Sequence, residues 1–383
     1  MRILIDALSA RQQGGQTYLK NLLAFVPFDG SVDVLLLAPQ SLKLEFDHPH
    51  VERRSVPKLL ENPFARVAWE RLVLARVARE FRADILFCPG GVVTAAPAGC
   101  KVVTMFRNMI PFDARQRARY PFGYERFRNW LLHRLMLRSM LRADLVIFIS
   151  NYARQVVERF AAGRRIRSVV IPHGVAPQFR APAIASDNWA AGHFGASYFL
   201  YVSYIDFYKA QIEVVQAFAS FKQQSGSDFK LLIVGPENPD YGRKVRAEIH
   251  RLGLTRDVVI TGALPYGDLP GLYQHATLNI FASESENCPN ILLEAMAAGR
   301  PVLSSNRPPM PEFAGDGAIY FDPATPAELA GRLCSLIDDP TAIAELGRRA
   351  QKRSELYDWQ TTAGRTWDAI KQLVNGGRID GAR

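Results

Sequence analysis

Residues 276–304 read Ala276-Thr-Leu-Asn-Ile-Phe-Ala-Ser-Glu-Ser-Glu286-Asn-Cys-Pro-Asn290-Ile-Leu-Leu-Glu294-Ala-Met-Ala-Ala-Gly299-Arg-Pro-Val-Leu-Ser304, and this stretch decides the fold. Residues 276–282 are apolar and rich in β-formers, which predicts a short strand. Pro289 and Gly299 stand where a helix begins and ends. A second strand begins at Pro301. The stretch therefore predicts a strand–helix–strand unit.

Two carboxylates lie at the strand-to-helix junction of this unit. Glu286 is in the loop, and Glu294 lies about 6 Å into the helix. The helix N-terminus near Asn290 and Ile291 offers unpaired N–H groups to an anion. Because like charges repel, the carboxylates are expected to bind hydroxyls on either side of that anion, as in the ribose, diphosphate and sugar of a nucleotide-sugar. Taken alone, the pair is also compatible with a solvated loop acid and an exposed helix acid.

Strand-like apolar runs alternate with helical runs along the whole chain, which predicts an α/β protein with parallel sheets covered on both faces. The predicted domains are 1–176 and 188–358, with a Pro- and Ala-containing linker at 177–187. The tail 359–383 is expected to form a helix that packs back on the first domain. The predicted strands are 3–6, 32–37, 85–87, 102–105, 145–149, 169–171, 198–202, 229–234, 258–261, 278–281 and 302–304.

The composition is that of a soluble globular protein. The chain has 383 residues, of which 48% are apolar and 22% charged. No apolar run reaches the length of about 18 residues that spans a membrane, and the acid at position 6 argues against a signal peptide. Reduced thiols in the cytoplasm are expected, because the four cysteines lack metal spacing: Cys88, Cys100, Cys288 and Cys334.

Positive charge is concentrated in the first half of the chain. Residues 1–175 hold 27 lysines and arginines against 14 acids, and residues 115–142 hold eight arginines and one acid among many aromatic residues. One interpretation of 115–142 is a face for anionic lipid head groups or a lipid-diphosphate acceptor. A core helix with a solvated basic face is a second interpretation. Nucleic-acid binding is the third, but no nucleic-acid-binding motif accompanies the charge.

Further candidates for the same site follow other predicted strands. Gly14 and Gly15 precede a helix and allow close approach of a ligand, although the dinucleotide motif Gly-x-Gly-x-x-Gly is absent. His173 comes at the end of the first domain. Lys209 begins a helix and is suited to neutralise a diphosphate. Each of these is also compatible with an ordinary turn, a structural histidine or a surface lysine.

Two loops in the second half complete the candidate list. Gly235 closes the turn after residues 229–234, and Leu264 lies in a loop after residues 258–261. The backbone of these loops is positioned to frame a planar base, because ligands of doubly wound sheets bind beyond the carboxyl ends of the strands. Ordinary loops are the alternative.

Taken in order, these motifs resemble the retaining glycosyltransferases of family GT4. The resemblance covers nearly the whole chain and is strongest over 198–323. Glu286 and Glu294 match the family's E-x7-E motif, Lys209 matches its diphosphate lysine, and Gly14-Gly15 resembles its glycine loop. Residues 172–175 and 150–153 also follow its pattern.

The resemblance implies the GT-B fold, with two Rossmann-like doubly wound domains facing across a cleft. It implies that Glu286 contacts the transferred sugar, Glu294 the ribose and Lys209 the diphosphate, without a bound metal or other cofactor. Two positions depart from the family. Tyr204 replaces an arginine five residues before the lysine, and Arg107-Asn108 replaces a His-Asp pair, so that these residues become candidate sugar or acceptor contacts.

The function expected from this resemblance is transfer of a hexose from a GDP- or UDP-sugar to a glycan or lipid-linked acceptor during synthesis of cell-surface polysaccharide such as lipopolysaccharide. The enzyme is expected in the cytoplasm, on the inner membrane surface, without a nucleic-acid partner. The alternatives are a nucleotide-sugar epimerase of the same fold and a non-catalytic nucleotide-sugar-binding protein. Donor base, sugar, acceptor, linkage and oligomeric state are not encoded in these motifs.

Overall fold

The structure is a computed structural model that describes residues 1–9, 13–42, 48–120, 122–182, 197–377 and 379. Of the predicted linker 177–187, residues 183–187 lie outside the described residues. The chain forms two compact units. Unit 1 comprises Met1–His173 and Trp359–Arg383, and unit 2 comprises Gly174–Asp358.

Unit 1 is built on a parallel sheet of seven strands in the order β3-β2-β1-β4-β5-β6-β7. The inner strands are buried because both faces are covered by helices, which explains their continuous apolar runs. The strands are β1 (Arg2–Asp6), β2 (Asp33–Pro39), β3 (Val51–Val56), β4 (Ile85–Cys88), β5 (Lys101–Phe106), β6 (Leu145–Phe148) and β7 (Ser168–Val170).

Several helices of unit 1 begin after a residue whose side chain caps them. Ser150, for example, accepts a hydrogen bond from the Ala153 N–H at 3.1 Å and so caps the helix that follows β6. A π-helical turn, Glu70–Leu74, separates two short helices. The helices are α1 (Gln13–Ala24), α2 (Pro63–Trp69), α3 (Ala75–Glu80), α4 (Ala114–Arg119), α5 (Tyr124–Met140) and α6 (Asn151–Phe160).

Unit 2 has a parallel sheet of six strands in the order β10-β9-β8-β11-β12-β13. Its strands are β8 (Tyr198–Val202), β9 (Lys230–Val234), β10 (Val258–Gly262), β11 (Leu278–Phe281), β12 (Val302–Ser305) and β13 (Ile319–Phe321). Its helices are α7 (Gln211–Ser225), α8 (Pro239–Arg251), α9 (Leu269–His275), α10 (Asn290–Ala297), α11 (Met310–Ala314), α12 (Pro326–Ile337) and α13 (Pro340–Ser354).

The last helix, α14 (Trp359–Val374), belongs to unit 1 although it follows unit 2 in the chain. It packs on α1. The Thr362 hydroxyl donates a hydrogen bond to the Pro172 carbonyl at 2.8 Å, and Trp367 is buried. The aromatic and apolar side chains of α14 therefore complete the core of unit 1.

All eleven predicted strands are present, with ends that differ by one or two residues. The prediction missed β3 and β13. The predicted helix start at Asn290 and its end before Gly299, which has φ +72°, are both confirmed. Among the described residues, no helix combines the length and the apolar character needed to cross a bilayer.

Candidate functional site

The order of strands in unit 2 reverses between β8 and β11. From β8 the chain proceeds to β9 and β10 on one side, and from β11 it proceeds to β12 and β13 on the other. Strands β8 and β11 pair at only two positions, Leu278 with Phe199 and Asn279 with Leu200. Beyond the carboxyl ends of two such strands the loops diverge and leave a crevice, which is where doubly wound sheets bind ligands.

Lys209 and Glu286 meet at this crevice. The loop after β8 brings Lys209, the loop after β11 brings Glu286, and the Lys209 Nζ donates a hydrogen bond to Glu286 Oε1. Lys209 is only 5% exposed. Its Nζ lies 4.9 Å from the ring centroid of Tyr208 and 5.7 Å from that of Phe281, so two aromatic rings and one carboxylate surround the ammonium group.

The environment keeps Lys209 charged despite its burial. Burial alone would lower the pKa of Lys209, because it penalises the ammonium form. The charge and hydrogen bond of Glu286, together with Tyr208 and Asp206, outweigh this effect and hold the pKa above its ordinary value. The buried lysine is therefore a fixed positive charge at the carboxyl edge of the sheet.

The backbone beside Lys209 is held in an unusual conformation. Ala210 has φ +53° and ψ +37°, in the left-handed region that residues other than glycine seldom adopt. The hydroxyl of the buried Tyr201 donates to the Lys209 carbonyl at 2.5 Å. Such conformations persist only where the surroundings over-determine them, and they cluster at functional sites. The Tyr201 hydrogen bond and the turn at Ala210 together fix the position of the lysine.

Tyr204 lies in the same loop with its side chain 41% exposed. The loop is tied down by the buried Gln211, whose Nε2 donates to the Ser203 hydroxyl at 2.8 Å and to the Tyr204 carbonyl at 3.1 Å. The structure therefore fixes the backbone of Tyr204 and leaves its phenol ring accessible.

Glu294 is buried on α10 and shares a hydrogen bond with an aromatic residue that the sequence did not single out. The Tyr266 hydroxyl donates to Glu294 Oε1 at 2.7 Å. Burial raises the pKa of Glu294 to about 7, and the hydrogen bond from Tyr266 opposes that rise. This carboxyl group therefore titrates near neutral pH and is positioned to accept or donate a hydrogen bond.

The N-terminus of α10 has no side-chain cap. Pro289 occupies the cap position. The Asn290 N–H is directed to the Cys288 carbonyl at 3.0 Å, and Ile291 follows at the second helical position, half-buried. Eight residues of helix with no acid in the first turn present a partial positive charge here.

The structure explains why residue 235 is a glycine. A Cβ at this position would lie 2.0 Å from the Ser203 carbonyl oxygen, and its φ of +144° also favours glycine. Its N–H donates to the Gly262 carbonyl at 2.9 Å. Leu264 is half-buried and packs against the core of unit 2. Both residues lie just after the carboxyl ends of β9 and β10, as expected.

The candidates from the first half of the sequence lie in unit 1. Gly14 is exposed and Gly15 buried, both in the first turn of α1. A Cβ on Gly14 would lie 3.4 Å from Arg107 Nη2, so the guanidinium group lies over the start of α1. The side chain of Asn108 is exposed, and its Oδ1 accepts a hydrogen bond from the Ile110 N–H at 3.2 Å.

Arg107 and His173 share the ring of Tyr18 as a neighbour. The Arg107 guanidinium lies 5.6 Å from the Tyr18 ring centroid. The buried His173 ring lies between Tyr18 and Trp359, 5.4 Å from each. Unit 1 thus brings Arg107 and His173 to one buried aromatic ring, and Arg107 also reaches the position of Gly14.

Sequence reasoning missed a buried acidic pair in unit 1. Asp6 ends β1, and Glu70 begins the π-helical turn. The Thr94 hydroxyl donates to Glu70, and Arg66 Nε lies 3.6 Å from Glu70 Oε1. Burial, together with the nearby charge of Asp6, raises the pKa of Glu70 to about 7. The sequence showed only that Asp6 ends a buried strand. It did not indicate the pair, because Glu70 and its neighbours come from distant segments of the chain.

Sequence comparison covers both halves of the chain. A family model described as "Glycosyltransferase Family 4" matches residues 13–179, and a model described as "Glycosyl transferases group 1" matches residues 193–353. Curated relatives include the serotype-specific mannosyltransferase WbdA of Escherichia coli, 23% identical over 73% of this chain and 34% of the relative. A D-inositol 3-phosphate glycosyltransferase of Paenarthrobacter aurescens is 27% identical over 40% of this chain and 38% of the relative. The matched region thus spans little more than a third of these relatives.

Solved structures resemble the chain over nearly its whole length. Sucrose-phosphate synthase from Thermosynechococcus elongatus has a TM-score of 0.77 at 17% identity and covers 98% of this chain and 99% of its own. Anabaena HepE in complex with UDP has a TM-score of 0.74 at 21% identity, over 97% and 99%. At these identities the likeness shows the fold. With two sheets of seven and six parallel strands and both family models matched, the chain belongs to the glycosyltransferases of the GT4 type, which have the GT-B fold.

Proposed function

We propose that this protein transfers a sugar from a nucleoside-diphosphate sugar, with GDP or UDP as the carrier, to an acceptor hydroxyl with retention of the anomeric configuration. The observation that supports this most directly is the buried Lys209–Glu286 pair at the crevice between β8 and β11. A fixed cation and the uncapped start of α10 suit a diphosphate, and Glu286 suits sugar hydroxyls.

The hard step in such a reaction is departure of the diphosphate. Lys209 stabilises the developing negative charge, and the N–H groups at the start of α10 share that work. An ammonium group has three donors, so Lys209 can keep its hydrogen bond to Glu286 while it donates to a phosphate oxygen. The departing phosphate oxygen accepts the proton of the acceptor hydroxyl. The proposal routes no step through a metal or other cofactor.

Binding of the donor involves further residues of unit 2. Glu294 accepts hydrogen bonds from the ribose hydroxyls, and the backbone near Gly235 and Leu264 frames the base. Tyr204 contacts the sugar or the acceptor with its exposed ring. Solved complexes of HepE contain UDP and UDP-glucose, which supports a nucleotide-sugar as the ligand class.

In unit 1, Gly14, Gly15 and His173 are proposed to bind the donor. Arg107 and Asn108 are proposed contacts for the sugar or the acceptor. The acceptor class is a glycan or lipid-linked glycan of a cell-surface polysaccharide, which agrees in kind with the serotype-specific mannosyltransferase WbdA. The protein then works in the cytoplasm, on the inner membrane surface.

A transfer assay with radiolabelled GDP- and UDP-sugars and a membrane extract tests the proposal. We expect Lys209→Ala and Glu286→Ala to lower kcat by about 10²–10³-fold. Lys244→Ala and Glu355→Ala, at exposed positions of unit 2, serve as controls and keep full activity. If the site variants transferred sugar as fast as wild type, the site assignment would be wrong.

Two further measurements separate the alternatives. A thermal-shift screen with GDP, UDP and ADP identifies the carrier, since a ligand of the folded state raises its melting temperature. Product analysis without an acceptor detects an epimerase, which changes the donor sugar alone. Binding by calorimetry without turnover on any acceptor would identify a non-catalytic nucleotide-sugar-binding protein.

A further inference from the structure

Helix α5 exposes several aromatic and leucine side chains, although Met136 and Met140 face the core. Phe127 is 61% and Trp130 46% exposed, and Leu131 and Leu135 are also exposed. These residues recur at the three- and four-residue spacing that forms one stripe on a helix. A surface helix of a globular protein normally has a single apolar stripe, on the core, whereas α5 has a second one facing solvent.

The buried face of α5 includes several polar residues. Asn129, His133 and Ser139 are all buried. His133 Nδ1 lies 3.1 Å from the Pro111 carbonyl, and the Ser139 hydroxyl accepts a hydrogen bond from the Val93 N–H at 2.9 Å. The interpretation of 115–142 as a core helix with a solvated basic face accounts for the buried side of α5, where Met136 and Met140 lie in the core, but not for its exposed aromatic residues.

Arginines surround the outward aromatic residues. The Arg126 guanidinium lies 4.1 Å from the ring centroid of Phe122, a residue that is 88% exposed. The Arg134 guanidinium lies 5.3 Å from the ring centroid of Trp130, which in turn stacks on Phe127 at 5.8 Å. Segment 115–142 has eight arginines and one acid. Apolar area and positive charge thus share one surface.

A second group of exposed apolar side chains is expected on the same face of the unit 1 sheet as α5. Leu59, Phe64 and Leu72 are all more than 70% exposed, in the segment between β3 and β4. The connections β3 to β4 and β5 to β6 step in the same direction along the sheet. Because crossovers between parallel strands are right-handed, both connections lie on the same face of the sheet. The first half of each connection lies near the edge formed by the carboxyl ends of the strands.

We propose that this surface, formed by α5 with Phe122 and by Leu59, Phe64 and Leu72, docks on a bilayer containing anionic lipids. Aromatic and leucine side chains enter the interfacial region, and the arginines pair with lipid phosphates. The proposal deepens, and rests on, the membrane-side location in the proposed function, but vesicle binding tests it without any sugar transfer.

A lipid surface fits these residues better than a nucleic acid does. Leu131, Leu135 and Leu72 add aliphatic area that a bilayer interface accepts and a phosphate backbone does not. The remaining aromatic residues combine with arginine in the way that interfacial protein segments do. Charge complementarity with anionic head groups accounts for the excess of arginine.

Vesicle co-sedimentation of the full chain tests the surface. We expect binding to phosphatidylcholine vesicles that contain phosphatidylglycerol and little binding to phosphatidylcholine alone. Arg134→Gln with Arg138→Gln should weaken the partition coefficient by about thirtyfold, since each arginine near an anionic surface contributes about a factor of five. Phe127→Ser with Trp130→Ser should weaken it by about tenfold or more.

Matched variants in unit 2 control for general loss of charge or apolar surface. Arg332→Gln with Arg348→Gln, and Leu356→Ser, change exposed residues and should leave binding unchanged. Circular dichroism of each variant checks that it folds. Quenching of wild-type fluorescence by brominated lipids, lost in Trp130→Phe, places that ring in the interface even if the double variants misfold.

The proposal is overturned if wild type does not bind the anionic vesicles, or if the control and surface variants bind equally. It is also overturned if Trp130→Phe leaves quenching unchanged. Arginine-dependent binding to a single-stranded oligonucleotide, without vesicle binding, would assign the surface to nucleic acid instead. If the wild-type protein binds the vesicles but transfers no sugar, the proposed function is contradicted, whereas the proposal for this membrane-docking surface is supported.

Discussion

Lys209 and Glu286 form an ion pair across 77 residues of sequence, and Lys209 is the more buried partner. The exposed fraction is 7% for the lysine side chain and 17% for the glutamate side chain. Without Glu286, the ammonium group of Lys209 stays buried and unpaired with a carboxylate. Without Lys209, the carboxylate of Glu286 keeps some contact with water. The two deletions are therefore expected to differ in their cost to folding.

Glu286→Gln should lower the free energy of unfolding by about 3 kcal/mol, because it leaves a buried ammonium group without its carboxylate. Lys209→Met should cost less, since Glu286 retains partial contact with water. Urea unfolding of both variants, with Glu355→Gln as the control, measures the difference. Equal costs, or a larger cost for Lys209→Met, would contradict this account of the pair.

Glu294 gives the protein a pH-dependent stability. Its folded-state pKa of about 7 lies above the ordinary value of 4.5, so the folded protein retains a proton that the unfolded chain has lost. The stabilisation from Glu294 is complete below pH 4.5 and is lost as the pH rises toward about 7. Chemical unfolding over this range should show a shallower decline for Glu294→Gln than for wild type.

Glu70→Gln is a companion variant, because it removes a second described carboxyl group with a pKa of about 7. Each single variant should reduce the slope of the free energy of unfolding against pH, and the double variant should reduce it by the sum of the two effects. If Glu294→Gln left the slope as it is in wild type, Glu294 would titrate at its ordinary pKa, and the burial argument would fail.

Ala210→Gly should stabilise the protein by up to about 1 kcal/mol. Ala210 has φ +53°, and the left-handed conformation costs a residue with a Cβ about 1–2 kcal/mol more than it costs glycine, less the extra chain entropy of glycine. Ala247→Gly, at an exposed position inside α8, should destabilise by about 1 kcal/mol. Melting temperatures that move in the same direction for both variants would refute the strain argument.

Gly235→Ala should destabilise unit 2 by more than about 2 kcal/mol, because the new Cβ would lie 2.0 Å from the Ser203 carbonyl oxygen. Gly331→Ala is the comparison variant. That glycine lies inside α12 with open space around its Cβ position, and alanine there should stabilise by about 1 kcal/mol. A small effect of Gly235→Ala would mean that the turn after β9 moves easily.

The central strands could be predicted because burial on both faces makes them continuous apolar runs. Strand β3 escaped prediction because Glu52, Arg53 and Arg54 break any apolar alternation, and its position at the edge of the sheet leaves it half exposed. Strand β13 has three residues, of which Ile319 and Tyr320 are only half-buried. The other edge strands, β7 and β10, were predicted from their apolar residues, so an edge position alone does not hide a strand.

The site was predictable as a set of residues but not as a set of contacts. The motifs placed Lys209 and Glu286 after two predicted strands, but they did not show that these strands are neighbours. The family resemblance assigned the two residues to different parts of a ligand and did not pair them. Tyr266 was visible only as a loop residue, because its hydrogen bond to Glu294 depends on how the loop after β10 folds over α10.

The return of α14 to unit 1 also constrains the order of events on the ribosome. Residues 174–358 of unit 2 are all synthesised before Trp359 emerges, so unit 2 can fold while unit 1 still lacks its last helix. The surfaces of α1 and His173 that α14 covers stay open to water and to chaperones during that interval. Release of a nascent chain before residue 359 would therefore yield a folded second unit joined to an unfinished first one.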